Sequence, residues 1–340
     1  MKASDRCRIG ARGPEVTLLG FGGAAIGNLY RARSDDEARE TLQAAWEAGV
    51  RYIDTAPLYG LTLSERRIGD FVKDKPRDSF TISTKVGRML DPLAPGEPSP
   101  AAAYVDTPRF KPRFDYRGEA ILASFEASLE RLGLDHVDVL YLHDLTPINH
   151  GSQEAYQAHF RTFFDAGGHE AMIRLRAEGR VGAIGVGVGH WPAAQQLIEE
   201  GDFDACLLAG RYTLLEQEAL ASFLPLCERR GVGVVIGAPY NSGILATGAV
   251  EGATYNYRPA PPAILERVRR IKAVCQAHGA PLIAAALQFP LHHPAVASIV
   301  PGVGSPQEVA AAVATLETAL PPALYAELKA EGLLAEAAPT

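Results

Sequence analysis

The chain has 340 residues, 47% of them hydrophobic, which is enough for a large core in one α/β barrel or in two smaller domains. Its formal net charge of −7 argues against nucleic acid or an anionic membrane as the main partner. Four widely spaced cysteines without a C-x-x-C pair indicate neither a disulfide framework nor a thiolate metal site. No apolar leader follows Met1 and no apolar run is long enough to span a bilayer, so the sequence predicts a cytoplasmic protein.

The predicted elements alternate between strands and helices along the chain. Residues 1–17 are predicted to form an N-terminal β-hairpin, and residues 16–22 a buried strand. Ser34 and Glu37 form a capping box, which begins a helix that ends at Gly49. Further strands are predicted at 51–54, 80–85, 137–142, 181–188, 203–209, 232–238 and 298–300. Further helices are predicted at 64–72, 119–132, 154–178, 191–200, 217–230, 263–278, 280–287 and 306–316, with a helical tail at 321–340.

Two segments interrupt this alternation. In residues 86–117 six prolines are predicted to exclude regular structure, and aromatic and basic side chains lie close together in the sequence. A loop of this length is either a lid or binding loop, or a solvated excursion. Residues 246–262 form the second irregular loop, with Tyr255, Asn256 and Tyr257 near its centre.

The number of strand–helix units predicts the fold. Eight units follow one another without a linker or a change in composition. Strands that alternate with helices form a parallel sheet, and eight units favour a closed (β/α)8 (TIM) barrel as a single domain over 1–340. In this fold the active site lies at the C-terminal ends of the strands, together with the long βα loops. Asp54, Lys85 and His143 are predicted at the ends of strands 2, 3 and 4, with Tyr59 in the loop after strand 2, so these four ionisable groups can converge.

Two other patterns do not predict a site. Gly20, Gly22 and Ala25 fit a dinucleotide-binding fingerprint, but residues 27–31 break the chain where that motif requires a helix. Several histidines lack the spacing of metal ligands, so they are interpreted as solvated or packed, and no metal site is predicted. These histidines are His150, His159, His169, His292 and His293.

Motifs in order over nearly the whole chain resemble the aldo-keto reductase family. The matching stretches are Leu19-Gly20-Phe21-Gly22, Asp54-Thr55-Ala56-x-x-Tyr59-Gly60, Ser83-Thr84-Lys85-Val86, the segment 131–143 that ends in His143, and Pro301-Gly302 before Ser305-Pro306. The resemblance implies that Tyr59 is the acid/base and that Lys85 is its partner. It also implies that Asp54 pairs with Lys85 and that His143 orients the reacting oxygen.

Elementary chemistry is consistent with these implied roles. A phenol has an ordinary pKa of about 10, so Tyr59 can act as a base near neutrality only if its anion is stabilised. A neighbouring ammonium such as that of Lys85 provides this stabilisation. A lysine buried alone tends to lose its proton, and the carboxylate of Asp54 opposes that loss.

The resemblance also implies a nicotinamide dinucleotide cofactor. Relatives that hold the 2′-phosphate of NADP commonly use a Lys or Arg just after strand 8, but this chain has neither between Ala295 and Ala326, and Glu308 would face the phosphate. The sequence therefore predicts NAD as the preferred cofactor and NADP as the alternative. The family's Ser-Asn pair for the carboxamide is replaced by 187–190, and Gly237 stands in place of its ring-stacking Tyr. The implied cofactor-binding residues are Gly22, Gly23, Asp54, Pro239, Tyr240, Asn241, Ser242, Gly243, Leu245, Pro301, Gly302, Val303, Ser305 and Gln307.

Within the family, residues 210–217 and 238–245 resemble the sugar-dehydrogenase branch. This resemblance implies a small-molecule substrate, an aldose such as L-fucose, L-galactose or D-arabinose, whose anomeric hydroxyl is oxidised to the lactone with Tyr59 as base. Three alternatives remain open: oxidation of pyridoxal to its lactone, reduction of carbonyls with NADPH, and a cofactor-binding regulatory subunit. The sequence does not predict an oligomeric state.

Overall fold

The computed structural model describes residues 1–101 and 103–340. Its strands are β1 (Arg6–Arg8), β2 (Glu15–Thr17), β3 (Gly20–Gly22), β4 (Tyr52–Asp54), β5 (Thr81–Val86), β6 (Arg88–Pro92), β7 (Phe110–Phe114), β8 (Val137–His143), β9 (Val181–Val188), β10 (Ala205–Ala209), β11 (Gly233–Gly237), β12 (Thr254–Tyr255), β13 (Arg258–Pro259) and β14 (Val296–Val300). Its α-helices are α1 (Asp35–Glu47), α2 (Leu63–Val72), α3 (Gly118–Leu132), α4 (Pro147–His150), α5 (Gln153–Asp165), α6 (Gly168–Ala177), α7 (Trp191–Glu200), α8 (Phe223–Arg230), α9 (Ile244–Thr247), α10 (Pro262–Ala277), α11 (Leu282–Gln288), α12 (Pro306–Glu317) and α13 (Ala323–Ala330).

An eight-stranded sheet forms the centre of the molecule, in the order β14-β11-β10-β9-β8-β5-β4-β3. All of its strand pairs are parallel. Parallel bridges from Leu19 to Ile299 and from Gly22 to Gly302 join its two outer strands. The sheet therefore closes on itself, and with helices between successive strands it is the predicted (β/α)8 barrel.

The barrel has two separate apolar layers. The strands read as nearly continuous apolar runs because both of their faces are covered, as in other parallel sheets. The outer layer, between strands and helices, is the larger core. The inner layer fills the barrel and includes Tyr52, Tyr141 and Leu207 together with Ile9 and Val16 of the N-terminal hairpin. The predicted hairpin is thus confirmed, and it packs against the barrel interior.

One predicted strand and one predicted loop are wrong. The strand predicted at 16–22 is two strands, β2 and β3, and between them the Thr17 hydroxyl donates to Leu19 O at 2.7 Å. The segment 86–117 is not without regular structure, because β6 and β7 pair as an antiparallel hairpin. A two-stranded ribbon tolerates Pro92 and Pro112 because its strands have an open edge where no N–H donor is needed. Ala102, inside this segment, lies outside the described residues.

The helix predictions are mostly confirmed, with two corrections. The helix predicted at 154–178 is divided into α5 and α6, and Gly167 lies between them with a φ of 75° that glycine adopts readily. The helix predicted at 217–230 begins only at Phe223 and is preceded by a 3-10 turn at Glu218–Leu220. The tail contains the predicted helix, α13. The loop 246–262 begins inside α9 and carries the short hairpin of β12 and β13.

Candidate active site

The four residues of the predicted tetrad meet at the C-terminal end of the barrel. Asp54 ends β4, Lys85 lies next to the end of β5, and His143 ends β8. These strands are neighbours in the sheet, which brings their C-terminal side chains together. Tyr59 follows β4 in a turn and lines the same cavity as Lys85 and His143.

Asp54 and Lys85 form a buried ion pair. The Lys85 Nζ donates to both carboxylate oxygens, at 2.8 and 2.7 Å, and to Thr55 O at 2.8 Å. The two side chains are only 4% and 1% exposed. Burial raises the pKa of Asp54 and lowers the pKa of Lys85, and the attraction between the two charges opposes both shifts.

A chain of hydroxyl groups reaches Asp54 from inside the barrel. The Ser83 hydroxyl donates to Asp54 Oδ1 at 2.7 Å and lies 3.1 Å from the Tyr52 hydroxyl, which lies 3.2 Å from the Tyr141 hydroxyl. Sequence reasoning missed all three residues. The alternation of strands could have found them, because each lies two positions before a tetrad residue or its equivalent on β4, β5 or β8 and therefore points inwards.

Tyr59 lies beside a cation and a histidine. Lys85 Nζ is 4.5 Å from the centre of the Tyr59 ring, and the Tyr59 and His143 rings are 6.1 Å apart and nearly perpendicular. Burial first, then the charges of Asp54 and Asp144, raise the pKa of Tyr59 well above its ordinary value. These surroundings favour the neutral phenol, so forming the phenolate that could accept a proton costs free energy, which neighbouring cations must offset.

His143 is buried and neutral. Burial, followed by the charges of Arg88 and Lys85, lowers the pKa of His143 well below its ordinary value. Its Nδ1 has no hydrogen-bond partner among the described residues, and its Nε2 lies 3.5 Å from Asp144 Oδ2. The Tyr116 hydroxyl donates to His143 O at 3.3 Å and so contacts the strand end from outside.

The cavity in front of these residues has a volume of about 760 Å³. Its lining includes the C-terminal ends of β9 and β10, where Gly187, Gly189 and Ala209 have small side chains or none. Tyr255 and Tyr257 of the second predicted loop form another wall. The cavity is therefore open where a planar ring could approach the strand ends.

Arg211 and Asp144 are charged residues of this cavity that sequence reasoning did not single out as site residues. Arg211 follows β10, and its guanidinium donates to Gly189 O at 2.9 Å and to Glu216 at 2.8 Å. The Tyr255 hydroxyl also donates to Glu216, which ties the second predicted loop to the end of β10. No motif marks these contacts, because the residues come from separate βα loops.

The residues predicted to bind a dinucleotide lie in three neighbouring segments. In the first, after β3, Gly22 bridges to Gly302 and Gly23 N donates to Asp54 O at 2.8 Å. The second, between β11 and the middle of α9, holds Pro239, Tyr240, Asn241, Ser242, Gly243 and Leu245. The third, between β14 and the first turn of α12, holds Pro301, Gly302, Val303, Ser305 and Gln307. Asn241 and Ser242 line the cavity that also contains Tyr59.

These segments fit a dinucleotide. A Cβ added to Gly243 or Gly302 would meet no atom of the described residues within 4 Å, so the backbone is accessible at both positions. Ser305 caps α12 by accepting from Glu308 N at 3.2 Å, and a helix N-terminus suits an anion. Asn241 is held between Thr213 and Gly210 by hydrogen bonds of 2.6 and 3.0 Å.

One basic residue reaches the third segment from elsewhere in the chain. Arg33 Nε donates to Gly304 O at 2.8 Å, and its Nη1 donates to Ala25 O at 2.9 Å. Glu308 accepts from Gly304 N at 2.7 Å in the same place. The absence of a Lys or Arg between 295 and 326 in the sequence therefore does not leave this segment without a cation.

The described residues contain neither a candidate metal-binding group nor a candidate membrane-spanning helix. Within residues 1–101 and 103–340, no group of three or more His, Cys, Asp or Glu side chains could hold a metal ion. Over the same residues, no helix has the length and apolar character needed to cross a membrane.

Comparison with known proteins gives consistent similarities. Residues 18–331 match the model of the aldo/keto reductase family. The chain is 43% identical over 324 residues to D-threo-aldose 1-dehydrogenase of Pseudomonas sp, covering 94% of each chain. It is 38% identical over 342 residues to pyridoxal 4-dehydrogenase of Microbacterium luteolum, covering 98% of this chain and 99% of the relative. Among solved structures, the holo form of an aldo-keto reductase from Bacillus halodurans has the same fold, with a TM-score of 0.75, 24% identity, and coverage of 99% and 98%.

Proposed function

Because the chain belongs to the aldo/keto reductase family and is an NAD(P)-dependent oxidoreductase, we propose that it oxidises the anomeric hydroxyl of an aldose to a lactone, using NAD. The observation that carries this proposal is the polar wall of the cavity. Asp144, Asn149 and Arg211 line it near Tyr59 and His143, and such groups suit a ligand with several hydroxyls. The 43% identity to a protein named D-threo-aldose 1-dehydrogenase supports the same substrate class.

In this proposal each residue of the tetrad acts on the reacting hydroxyl or on its proton. Tyr59, as the phenolate, accepts the proton as the carbon–oxygen double bond forms, and the carbon's hydrogen leaves as hydride. Lys85 offsets the cost of a negative charge on Tyr59, and Asp54 keeps Lys85 charged. His143, which is neutral, hydrogen-bonds the reacting oxygen. The bound nicotinamide supplies the hydride acceptor.

The proposed cofactor is NAD, bound along the three segments after β3, β11 and β14. In this proposal Ser242 and Gly243 receive the pyrophosphate, and the start of α12 receives the adenosine end. Glu308 disfavours an additional 2′-phosphate there through charge repulsion. Arg33 is the opposing charge, so the preference for NAD is expected to be moderate.

A second candidate is the oxidation of the cyclic hemiacetal of pyridoxal. Tyr255 and Tyr257 line the cavity, and aromatic faces suit a pyridine ring as well as a sugar ring. The 38% identity to a protein named pyridoxal 4-dehydrogenase favours it. The reaction logic is the same, since a hemiacetal hydroxyl again becomes a lactone.

A substrate panel tests the proposal. L-fucose, L-galactose, D-arabinose and pyridoxal are each incubated with NAD and with NADP, and the absorbance of the reduced nicotinamide is followed. We expect the largest rate with one of the aldoses and NAD. A rate with pyridoxal alone would replace the proposal by the second candidate, and no rate with any of the four would overturn both.

A further inference from the structure

Asp144 and Arg88 form a charged pair beside the tetrad that the proposed chemistry does not use. Asp144 follows His143 directly, with a left-handed backbone conformation of φ 57°. Its N–H donates to Gly187 O on β9 at 3.0 Å, so the backbone is held against the sheet. Its side chain is 21% exposed and lines the cavity. A carboxylate is therefore presented to any substrate that reaches His143.

Arg88 fixes the orientation of this carboxylate. Its Nη2 donates to Asp144 Oδ2 from β6, and the guanidinium carbon lies 4.6 Å from the centre of the Phe114 ring on β7. Arg88 itself is 14% exposed. Among the described residues only Oδ2 of Asp144 is engaged in this way, which leaves Oδ1 free to accept a hydrogen bond from a ligand.

The position of Asp144 relative to His143 indicates which hydroxyl of a substrate the carboxylate could contact. Asp144 Oδ2 is 3.5 Å from His143 Nε2, and because Nδ1 is fully buried, Nε2 is the ring nitrogen that can reach a ligand oxygen in the cavity. An oxygen bound at Nε2 thus lies next to the carboxylate, within reach of a hydroxyl on the adjacent carbon. Resting on the proposed function, we propose that Asp144 accepts a hydrogen bond from the hydroxyl at C2 of the aldose and so selects substrates that carry it.

The test compares the best aldose of the panel with its 2-deoxy analogue, in wild type and in Asp144→Asn. Asn keeps the size of the side chain and tolerates the left-handed backbone, and Asp144→Gly is a second variant that suits the same φ. Asp91→Asn is the matched control, because Asp91 also pairs with an arginine, Arg113, on the β6–β7 hairpin but is 38% exposed and away from the tetrad. The dissociation constant of each sugar is also measured by calorimetry on protein saturated with NADH.

We expect Asp144→Asn to lower kcat/KM for the C2-hydroxyl sugar by about tenfold to a hundredfold, as for loss of a charged hydrogen bond. For the 2-deoxy sugar, kcat/KM should change by less than about threefold, which corresponds to a weak contact. The calorimetric affinities should show the same difference between the sugars, and Asp91→Asn should leave both unchanged.

Two outcomes would overturn the inference. Equal losses for both sugars would mean that Asp144 acts on Tyr59, on His143 or on folding, and unchanged values for both would mean that it does not touch the substrate. In either case the proposed function survives, because wild type still oxidises the aldose. If wild type oxidises no aldose, the proposed function and this inference fail together.

Discussion

Tyr59 is surrounded by groups that act on its proton in opposite directions. Burial and the carboxylates of Asp54 and Asp144 raise its pKa, whereas Arg88 lowers it and Lys85 contacts the face of its ring. With no ligand bound, these opposing effects leave Tyr59 protonated, as the neutral phenol. It can still exchange that proton with a hydroxyl or carbonyl placed between itself and His143.

The first prediction concerns Tyr59 itself. Tyr59→Phe removes the proton acceptor while it keeps the ring, so kcat should fall by about a hundredfold to ten-thousandfold. The dissociation constant for NAD, measured by fluorescence titration, should stay nearly the same. Tyr156→Phe is the control, since this hydroxyl is also buried but donates to Gln196. Retained turnover in Tyr59→Phe would contradict the assigned role.

The second prediction concerns Ser83, which affects the site by donating a hydrogen bond to Asp54. The hydrogen bond from Ser83 lowers the pKa of Asp54 and Lys85 does the same, while burial raises it. Ser83→Ala removes a donor, so Asp54 should hold a proton up to a higher pH and support the Lys85 ammonium less. The acidic limb of the kcat/KM profile should therefore move to higher pH. Lower activity with an unmoved profile would show that Ser83 only packs.

At the scale of elements, strand order explains which site residues could be predicted. Asp54, Lys85 and His143 were predictable because each lies at or next to the end of a parallel strand, and such ends meet on one face of a barrel. Arg88 and Asp144 were not, because their contact depends on the β6–β7 hairpin. The prolines of that segment indicate a loop unless one knows that a two-stranded ribbon has an open edge.

The third prediction concerns two elements that meet at the proposed binding site for the adenosine end of the cofactor. Glu308 in the first turn of α12 accepts from Gly304 N, while Arg33 contacts Gly304 O from the segment before α1. Glu308→Gln removes the negative charge, and the positive charge of Arg33 is then no longer opposed by Glu308. NADP should then bind up to about fivefold more tightly, with NAD nearly unchanged, since a surface-accessible charge contributes up to about 1 kcal/mol.

Both dissociation constants are measured by quenching of protein fluorescence. Glu317→Gln, at the other end of α12, is the control for loss of a glutamate from the same helix. An equal gain in NADP affinity for the control would show that net charge, rather than the position of Glu308, sets the preference.

At the scale of the whole molecule, the barrel was predictable from alternation alone. Eight strand–helix units leave few other arrangements, and every strand of the barrel begins within two residues of its predicted start except β3. There the predicted strand began at residue 16, but the Thr17 hydroxyl donates to Leu19 O and the chain turns between β2 and β3. Contacts between distant segments were not predictable. The ion pairs of the buried Asp204 carboxylate with Arg12 of the hairpin and with Arg176 depend on side-chain geometry that no local pattern encodes.

The last prediction concerns these ion pairs. The Asp204 side chain is fully buried, pairs with Arg12 and Arg176, and accepts from Ile184 N at 2.9 Å. Asp204→Asn leaves donors without a charged partner, so the free energy of unfolding should fall by about 1–3 kcal/mol. Arg12→Ala should cost less, about 1 kcal/mol at most, because Arg12 is 52% exposed and water can replace it. The free energy of unfolding of both variants is measured by denaturant unfolding and by calorimetry. Equal losses of stability would mean that the buried carboxylate contributes no more than its exposed pair with Arg12. The hairpin would then be held by the apolar packing of Ile9 and Val16 instead.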